Sequence, residues 1–194
     1  MSARFERIAV VGLGLLGGSV AGAARARGVA KRVVGVSRGR DTAAAAVSAG
    51  LADEGTSDLA AGVAGAELVV LCTPIFAMAD TLRRASGQLA EGALVTDVGS
   101  VKGALVETLP GLLPPGAHYV GAHPMAGSHE TGLRHASKGS VIGSSRESTV
   151  DAHGELSTRV IRGSRCRRRW RASGRSSRRT PRRARPTAPG RSGS

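Results

Sequence analysis

The 194 residues carry 28 Lys and Arg against 14 Asp and Glu, a formal net charge of +14. The excess is uneven, because residues 1–134 hold 12 basic and 11 acidic side chains whereas residues 135–194 hold 16 and 3. That excludes a uniformly basic nucleic-acid binder. It divides the chain into a nearly neutral part, long enough for one domain with its own core, and an Arg-rich tail with too few large apolar residues to bury one.

In chain order, Arg7–Val11 is a β-branched run expected to be a buried strand, and Leu15–Arg27 an Ala/Leu-rich helix ended by Gly28. Arg32–Val36 is a second strand and Asp41–Ala49 a helix with Asp41 as its N-cap. Asp58–Val63 is a short helix. Glu67–Cys72 is a strongly apolar strand, and Pro74 opens the next helix near its first turn. Ala93–Thr96 is a strand, Val101–Leu109 a helix capped by Ser100, and His118–Gly121 a last strand. Apolar strands alternating with helices at this spacing predict an α/β fold, a doubly wound Rossmann-type parallel sheet covered on both faces. The domain is expected over residues 1–135.

Neither cysteine, Cys72 nor Cys166, belongs to a disulfide framework. The longest run free of Asp, Glu, Lys, Arg and His, Ile8–Ala24, contains five glycines, too many for the apolar core of a signal peptide. No stretch of ~20 apolar residues is present to span a membrane. A cytoplasmic location is expected.

Gly12-Leu13-Gly14-Leu15-Leu16-Gly17 fits G-x-G-x-x-G between a predicted strand and a predicted helix, the context that gives this pattern weight. Gly12 allows the tight turn, Gly14 lets backbone approach a pyrophosphate, and Gly17 lets helix and strand pack closely. The free N–H groups at the helix start then face the phosphates. A glycine-rich turn without a ligand is the plainer alternative. At the end of the second strand, where a ribose-binding acid is expected, stand Ser37 and Arg38, with Arg40 near. An arginine there can pair with a 2′-phosphate, so the cofactor is expected to be NADP or NAD, with NADP favoured. Solvated loop charges are the other reading of Arg38 and Arg40. Thr73 and Pro74 end a strand beside the expected nicotinamide position.

Two later segments carry the candidate chemistry. Asp97–Lys102 runs from a strand end into a helix. It puts Val98 on the cofactor side and offers the Ser100 hydroxyl as a cap or a ligand contact, while Asp97 and Lys102 fix the loop. His123 sits in Gly121–Ser128, a Gly/Pro-shaped loop just past a strand end. A neutral imidazole there can accept a hydroxyl proton as hydride leaves the same carbon, or it can simply bond backbone. His118 is expected to be structural, and His129 and His135 solvated. No His/Cys/Asp spacing resembles a metal-ligand set.

The segments Gly12–Ser19, Leu71–Pro74, Thr96–Lys102 and Gly121–Ser128, in this order and spacing, resemble the prephenate dehydrogenase family, including its arogenate-using relatives. The resemblance covers about residues 5–134. It implies oxidative decarboxylation of a small-molecule substrate, prephenate or arogenate, in tyrosine biosynthesis, with hydride passing to the nicotinamide. It implies that His123 takes the hydroxyl proton, that Ser100 orients that hydroxyl and the nicotinamide, and that Ser128 contacts substrate. The family continues into a helical domain that makes a homodimer and supplies cationic substrate contacts. Nothing after about Ala136 resembles that domain, so a truncated member with little or no turnover is expected.

Residues 136–194 are expected to be disordered. Between Arg159 and Arg191 there are fourteen Arg and no Lys, a bias expected of GC-rich coding sequence read in a shifted frame from about residues 136–140. Two other function classes compete. A β-hydroxyacid dehydrogenase-type NADP oxidoreductase does not account for His123-Pro124 together with Ser100. Nucleic-acid binding by the tail, through phosphate neutralisation, has only Trp170 for stacking; no specific nucleic-acid partner is expected.

Overall fold

The computed structural model describes residues 3–124, 132–136, 145–150 and 156–161. Eight strands form one sheet in the order β3-β2-β1-β4-β5-β6-β7-β8. They are β1 (Phe5–Val11), β2 (Ala30–Val36), β3 (Glu54–Thr56), β4 (Leu68–Leu71), β5 (Leu94–Asp97), β6 (His118–Pro124), β7 (Ser145–Val150) and β8 (Leu156–Ile161). The first six run parallel, and β7 and β8 are antiparallel. The strand order therefore reverses between β1 and β4, the place where sheets of this kind bind nucleotides.

The apolar strands lie in the middle of the sheet because both of their faces are covered. Ile8, Ala9, Val10 and Val11 of β1 are all buried, as are Val69, Val70 and Leu71 of β4. Each such Val, Ile or Leu contributes roughly 1.5–3 kcal/mol on burial. One face carries helix α1 (Leu15–Ala26) and helix α2 (Arg40–Ser48) over a core of Ile8, Val10, Val33, Ala46 and Val70. The other carries α3 (Leu59–Val63), α4 (Ile75–Ala85) and α5 (Lys102–Thr108), which bury Met78, Leu82, Leu105 and Leu109 against Val69, Leu71 and Val95. Helix α1 approaches its strands closely because its inward face is small: Gly17, Gly18, Ser19, Ala21, Gly22 and Ala23. It stops at Gly28, whose φ of +59° lets the Val29 N–H turn back to the Ala24 carbonyl at 3.0 Å.

Two helix starts differ from expectation. Helix α2 begins at Arg40 with Gly39 as N-cap, so Asp41 does not cap it; Asp41 lies in the first turn, where its charge complements the helix dipole. Helix α5 begins at Lys102 with Val101 at the N-cap, so Ser100 does not cap it. The cause is local. The Asp97 carboxylate accepts the Gly99 N–H at 2.7 Å, a side-chain-closed turn that delays helix entry.

Strand β3 was not expected, because Glu54-Gly55-Thr56 has no apolar pattern; it forms by pairing with Val34, Gly35 and Val36. Nor were β7 and β8, where short runs of β-branched residues alternate with polar ones inside the Arg-rich part. Through them the hydrogen-bond ladder crosses residue 135. Among the described residues no helix is long and apolar enough to cross a membrane.

Candidate active site

The three glycines of the first turn have separable roles. Gly12 has φ +101°, and a Cβ there would lie 2.7 Å from the Cys72 carbonyl carbon and oxygen, so only glycine lets β1 turn against the end of β4. Gly17 lies against the Gly12 carbonyl oxygen, in space a methyl group would overlap. Gly14, by contrast, is exposed with nothing near its Cβ position. It is also the N-cap of α1, and no side chain caps that helix end. The first N–H groups of α1 are thus left for an external acceptor, above a backbone that a phosphate can approach. Leu15 and Leu16 are half-buried in this first turn. Leu13 is buried: its Cδ1 packs over Gly35, so its side chain serves the core and only its backbone belongs to the turn.

The neighbouring strand ends supply the other groups. Because β1, β4, β5 and β6 are parallel and adjacent, their carboxyl ends lie in one row, about 14 Å from first to last at the usual strand spacing. Thr73 and Pro74 follow β4, with Pro74 as the N-cap of α4. The Thr73 hydroxyl oxygen is buried and has no hydrogen-bond partner among the described residues, a costly state unless a ligand answers it. Val98 is half-buried after β5, with its N–H on the Leu71 carbonyl at 3.2 Å. Ser100 is exposed in the β5–α5 loop. His123 is half-buried on β6, two residues beyond Gly121, the residue paired with Asp97. Glycine turn, Thr73, Ser100 and His123 therefore stand on successive strand ends. Ser128, His129 and His153 lie outside the described residues. His118 is exposed, and half-buried His135 accepts a 2.8 Å hydrogen bond from Arg134 at the surface.

On the other side of β1, Ser37 and Arg38 follow β2. The Ser37 N–H is taken by the Thr56 carbonyl at 3.0 Å, and Gly12 N–H is taken by the Val36 carbonyl at 2.8 Å, which ties the β2 end to the glycine turn. Arg38 is exposed, and among the described residues no carboxylate pairs with it. No acid stands where a ribose hydroxyl would need one. The orphaned Thr73 hydroxyl, the open space at Gly14 and the uncapped α1 all fit a dinucleotide.

Sequence reasoning gave Asp97 to its own loop and missed its second partner, Tyr119 on the neighbouring strand. Asp97 is fully buried and accepts hydrogen bonds from the Gly99 N–H and from the Tyr119 hydroxyl, the latter at 2.6 Å. The signal was available, since an acid ending an otherwise apolar strand is a buried charge that needs donors. Burial, then the hydrogen bond and charge of Asp97, hold the Tyr119 phenol well above its usual range. Burial, reinforced by the same charge, pushes the Cys72 thiol up to about 12. A surface concavity lined by Arg7, Val34, Val47, Asp53, Glu54 and Thr56 lies elsewhere, around edge strand β3. Its charges are already engaged, Arg7 with Glu54 at 3.3 Å and Asp53 with Arg25 at 2.6 Å, whereas the row of strand ends carries the unanswered Thr73 hydroxyl. Among the described residues no cluster of three His, Cys, Asp or Glu is arranged for a metal.

Comparison with known proteins identifies the family of this fold. The family model for the prephenate dehydrogenase nucleotide-binding domain matches residues 20–145. The prephenate dehydrogenase of Bacillus subtilis is 36% identical over 131 residues, which are 66% of this chain and 35% of that protein. The cyclohexadienyl dehydrogenase of Zymomonas mobilis is 34% identical over 128 residues, 66% of this chain and 43% of that protein. Among solved structures, prephenate dehydrogenase from Aquifex aeolicus, in complex with hydroxyphenyl propionate and NAD+, aligns with a TM-score of 0.65 at 31% identity, covering 71% of this chain and 48% of that one. Synechocystis arogenate dehydrogenase aligns with a TM-score of 0.63 at 40% identity, covering 68% and 45%. The chain thus spans a third to a half of the length of these relatives. It belongs to the prephenate dehydrogenase family, which it matches through the nucleotide-binding domain.

Proposed function

We propose that this chain holds NAD(P)+ across the β1–β4 switch point and that its strand ends serve the oxidative decarboxylation of prephenate or arogenate, small cyclohexadienyl substrates. The observation that carries the reading is the row itself: an uncapped glycine turn, an unanswered Thr73 hydroxyl, Ser100 and His123 on four adjacent strand ends. The backbone of Leu13–Gly17 holds the pyrophosphate, with Thr73, Pro74 and Val98 along the nicotinamide half. When bound, the nicotinamide supplies the hydride acceptor. His123 takes the proton of the ring hydroxyl as the hydride leaves the same carbon. Loss of the ring carboxylate as CO2 then leaves its electron pair to complete the aromatic ring. Ser100 orients the hydroxyl, and Ser128 is assigned to substrate contact.

Arg38, exposed and unpaired beside Ser37, favours NADP+ over NAD+ because a guanidinium pairs with a 2′-phosphate through two parallel N–H···O bonds. The test measures NAD(P)+ binding by the full chain, and NAD(P)H formation from prephenate and from arogenate once a family helical domain is joined to it. His123→Asn should lower turnover by about 10²–10⁴-fold with cofactor affinity kept. Turnover at the original rate in that variant removes the histidine from the reaction. For residues 136–194, the proposal of a shifted reading frame is tested on the gene: one of the other two frames should encode an apolar, helical continuation, and its absence from both ends the idea.

A further inference from the structure

Asp97 ends β5 and is fully buried, yet its two oxygens face different segments. Oδ2 accepts the Gly99 N–H at 2.7 Å, one residue before Ser100. Oδ1 accepts the Tyr119 hydroxyl at 2.6 Å, from the strand that carries His123 four residues on. The register explains the reach. Tyr119 pairs with Val95 and Gly121 with Asp97, so Tyr119, Val95 and Asp97 share one face of two adjacent strands. The loop has no slack. A Cβ on Gly99 would stand 3.0 Å from Asp97 Oδ2, 2.7 Å from Leu105 Cδ1 and 3.3 Å from Ile75 Cγ1.

We propose that Asp97 and Tyr119 form a positioning pair that sets the Ser100 loop relative to the His123 strand. The inference rests on the reading of Ser100 and His123 as the reacting pair. An Asp that only closed its own loop would need one oxygen, and an Asn could replace it. Here the second oxygen is committed to the neighbouring strand, and both bonds are charge-assisted at a fully buried carboxylate. Neither Ser100 nor His123 is hydrogen-bonded by its side chain to another described residue, so each is placed by the backbone that bears it. One carboxylate holds both backbones. The phenol, kept protonated by burial and by Asp97, donates across the whole working range of pH.

Tyr119 is the single tyrosine of the chain, so its ultraviolet absorbance reports this bond without interference from another phenol. The full chain is compared with Tyr119→Phe, Asp97→Asn and the double variant. In the parent, tyrosinate absorbance appears only above the usual phenol range; in Asp97→Asn it rises at lower pH. Tyr119→Phe should move the amide resonances of Gly99 and Ser100 and the ring resonances of His123, while those of Gly12–Gly17 stay in place. With cofactor and substrate, kcat should fall about tenfold in Tyr119→Phe and about a hundredfold in Asp97→Asn, the cost expected of a misplaced reacting group. KM for the cofactor should stay within twofold. The double variant should be no slower than Asp97→Asn, because the two changes break one unit. Unmoved Ser100 and His123 resonances in folded Tyr119→Phe, or fully additive losses, overturn the proposal. If the parent turns over neither substrate, as expected of a truncated member, the resonances decide the positioning pair; failure to bind NAD(P)+ is what ends the functional reading. If Asp97→Asn does not fold, Tyr119→Phe, which removes one oxygen, carries the test.

Discussion

Gly17 rests against the carbonyl oxygen of Gly12, in contact too close for any side chain between them. A glycine inside a helix normally costs about 0.5–1 kcal/mol relative to alanine, so Gly17→Ala would ordinarily stabilise α1. Here it should destabilise by about 1–3 kcal/mol, the cost of overpacking against backbone, and should weaken dinucleotide binding. Gly14→Ala is the control. With open space at its Cβ and φ of −91°, it should leave the melting temperature within about a degree while still reducing cofactor affinity. Thermal denaturation and cofactor titration separate the two. Equal effects of both variants on stability would contradict the distinct roles assigned to these glycines.

Arg38 is the second point of test. Loss of a charge-assisted contact costs about 1.5–3 kcal/mol, so Arg38→Ala should weaken NADP+ by about 10–100-fold and leave NAD+ nearly unchanged. Equal loss for both cofactors would assign Arg38 to the shared part of the dinucleotide and remove its role in selection.

Asp53 joins the end of α1 to β2. Its Oδ1 takes Arg25 Nε–H at 2.6 Å and its Oδ2 takes the Val33 N–H at 2.8 Å. Burial works against the charge, but the Arg25 and Val33 bonds and the charges of Arg25 and Arg32 outweigh it. The carboxyl is held below its ordinary value of 3.8. A group with a depressed folded pKa stabilises above its unfolded value and loses that contribution as pH falls through the folded one. Asp53→Asn should therefore cost about 1 kcal/mol or less at neutral pH, since the pair is partly exposed and screened. The difference from the parent should vanish in denaturant melts below the unfolded value. A gap that persists there would assign the effect to the hydrogen-bond geometry alone.

The Cys72 thiol, pushed to about 12, is almost entirely protonated at pH 8. Site-resolved mass spectrometry should show Cys72 resisting iodoacetamide in the native state and reacting once guanidinium unfolds the chain. Rapid native labelling would mean that the end of β4 opens readily. Bound cofactor should slow any residual labelling, because Gly12 and Gly17 pack on the Cys72 backbone and side chain.

The parallel layout was legible because its strands are apolar on both faces: Arg7–Val11, Arg32–Val36, Glu67–Cys72, Ala93–Thr96 and His118–Gly121 each fall on an observed strand. What escaped has no local pattern. Strand β3 exists through its partner β2, with Gly55 at its centre. The start of α5 was misplaced because Ser100 is a good cap by type, while a carboxylate three residues earlier closes the turn first. Tyr119 was read as part of a strand and nothing more. Its meaning depends on the Asp97↔Gly121 register, a relation between strands that no stretch of chain carries by itself.

Beyond Gly17 on α1 stands Gly18, buried beneath the short 3-10 turn Leu133–His135. A Cβ at Gly18 would come within 2.6 Å of Leu133 Cδ1 and 2.8 Å of Ala136 Cβ, so the turn rests on the helix backbone itself. On the helix side no side chain intervenes; the turn touches it through Leu133 Cδ1 and the Ala136 methyl group. A shift of α1 is therefore felt first by the Leu133 and Ala136 side chains, so the helix that begins at the glycine turn also touches the segment that follows the His123 strand.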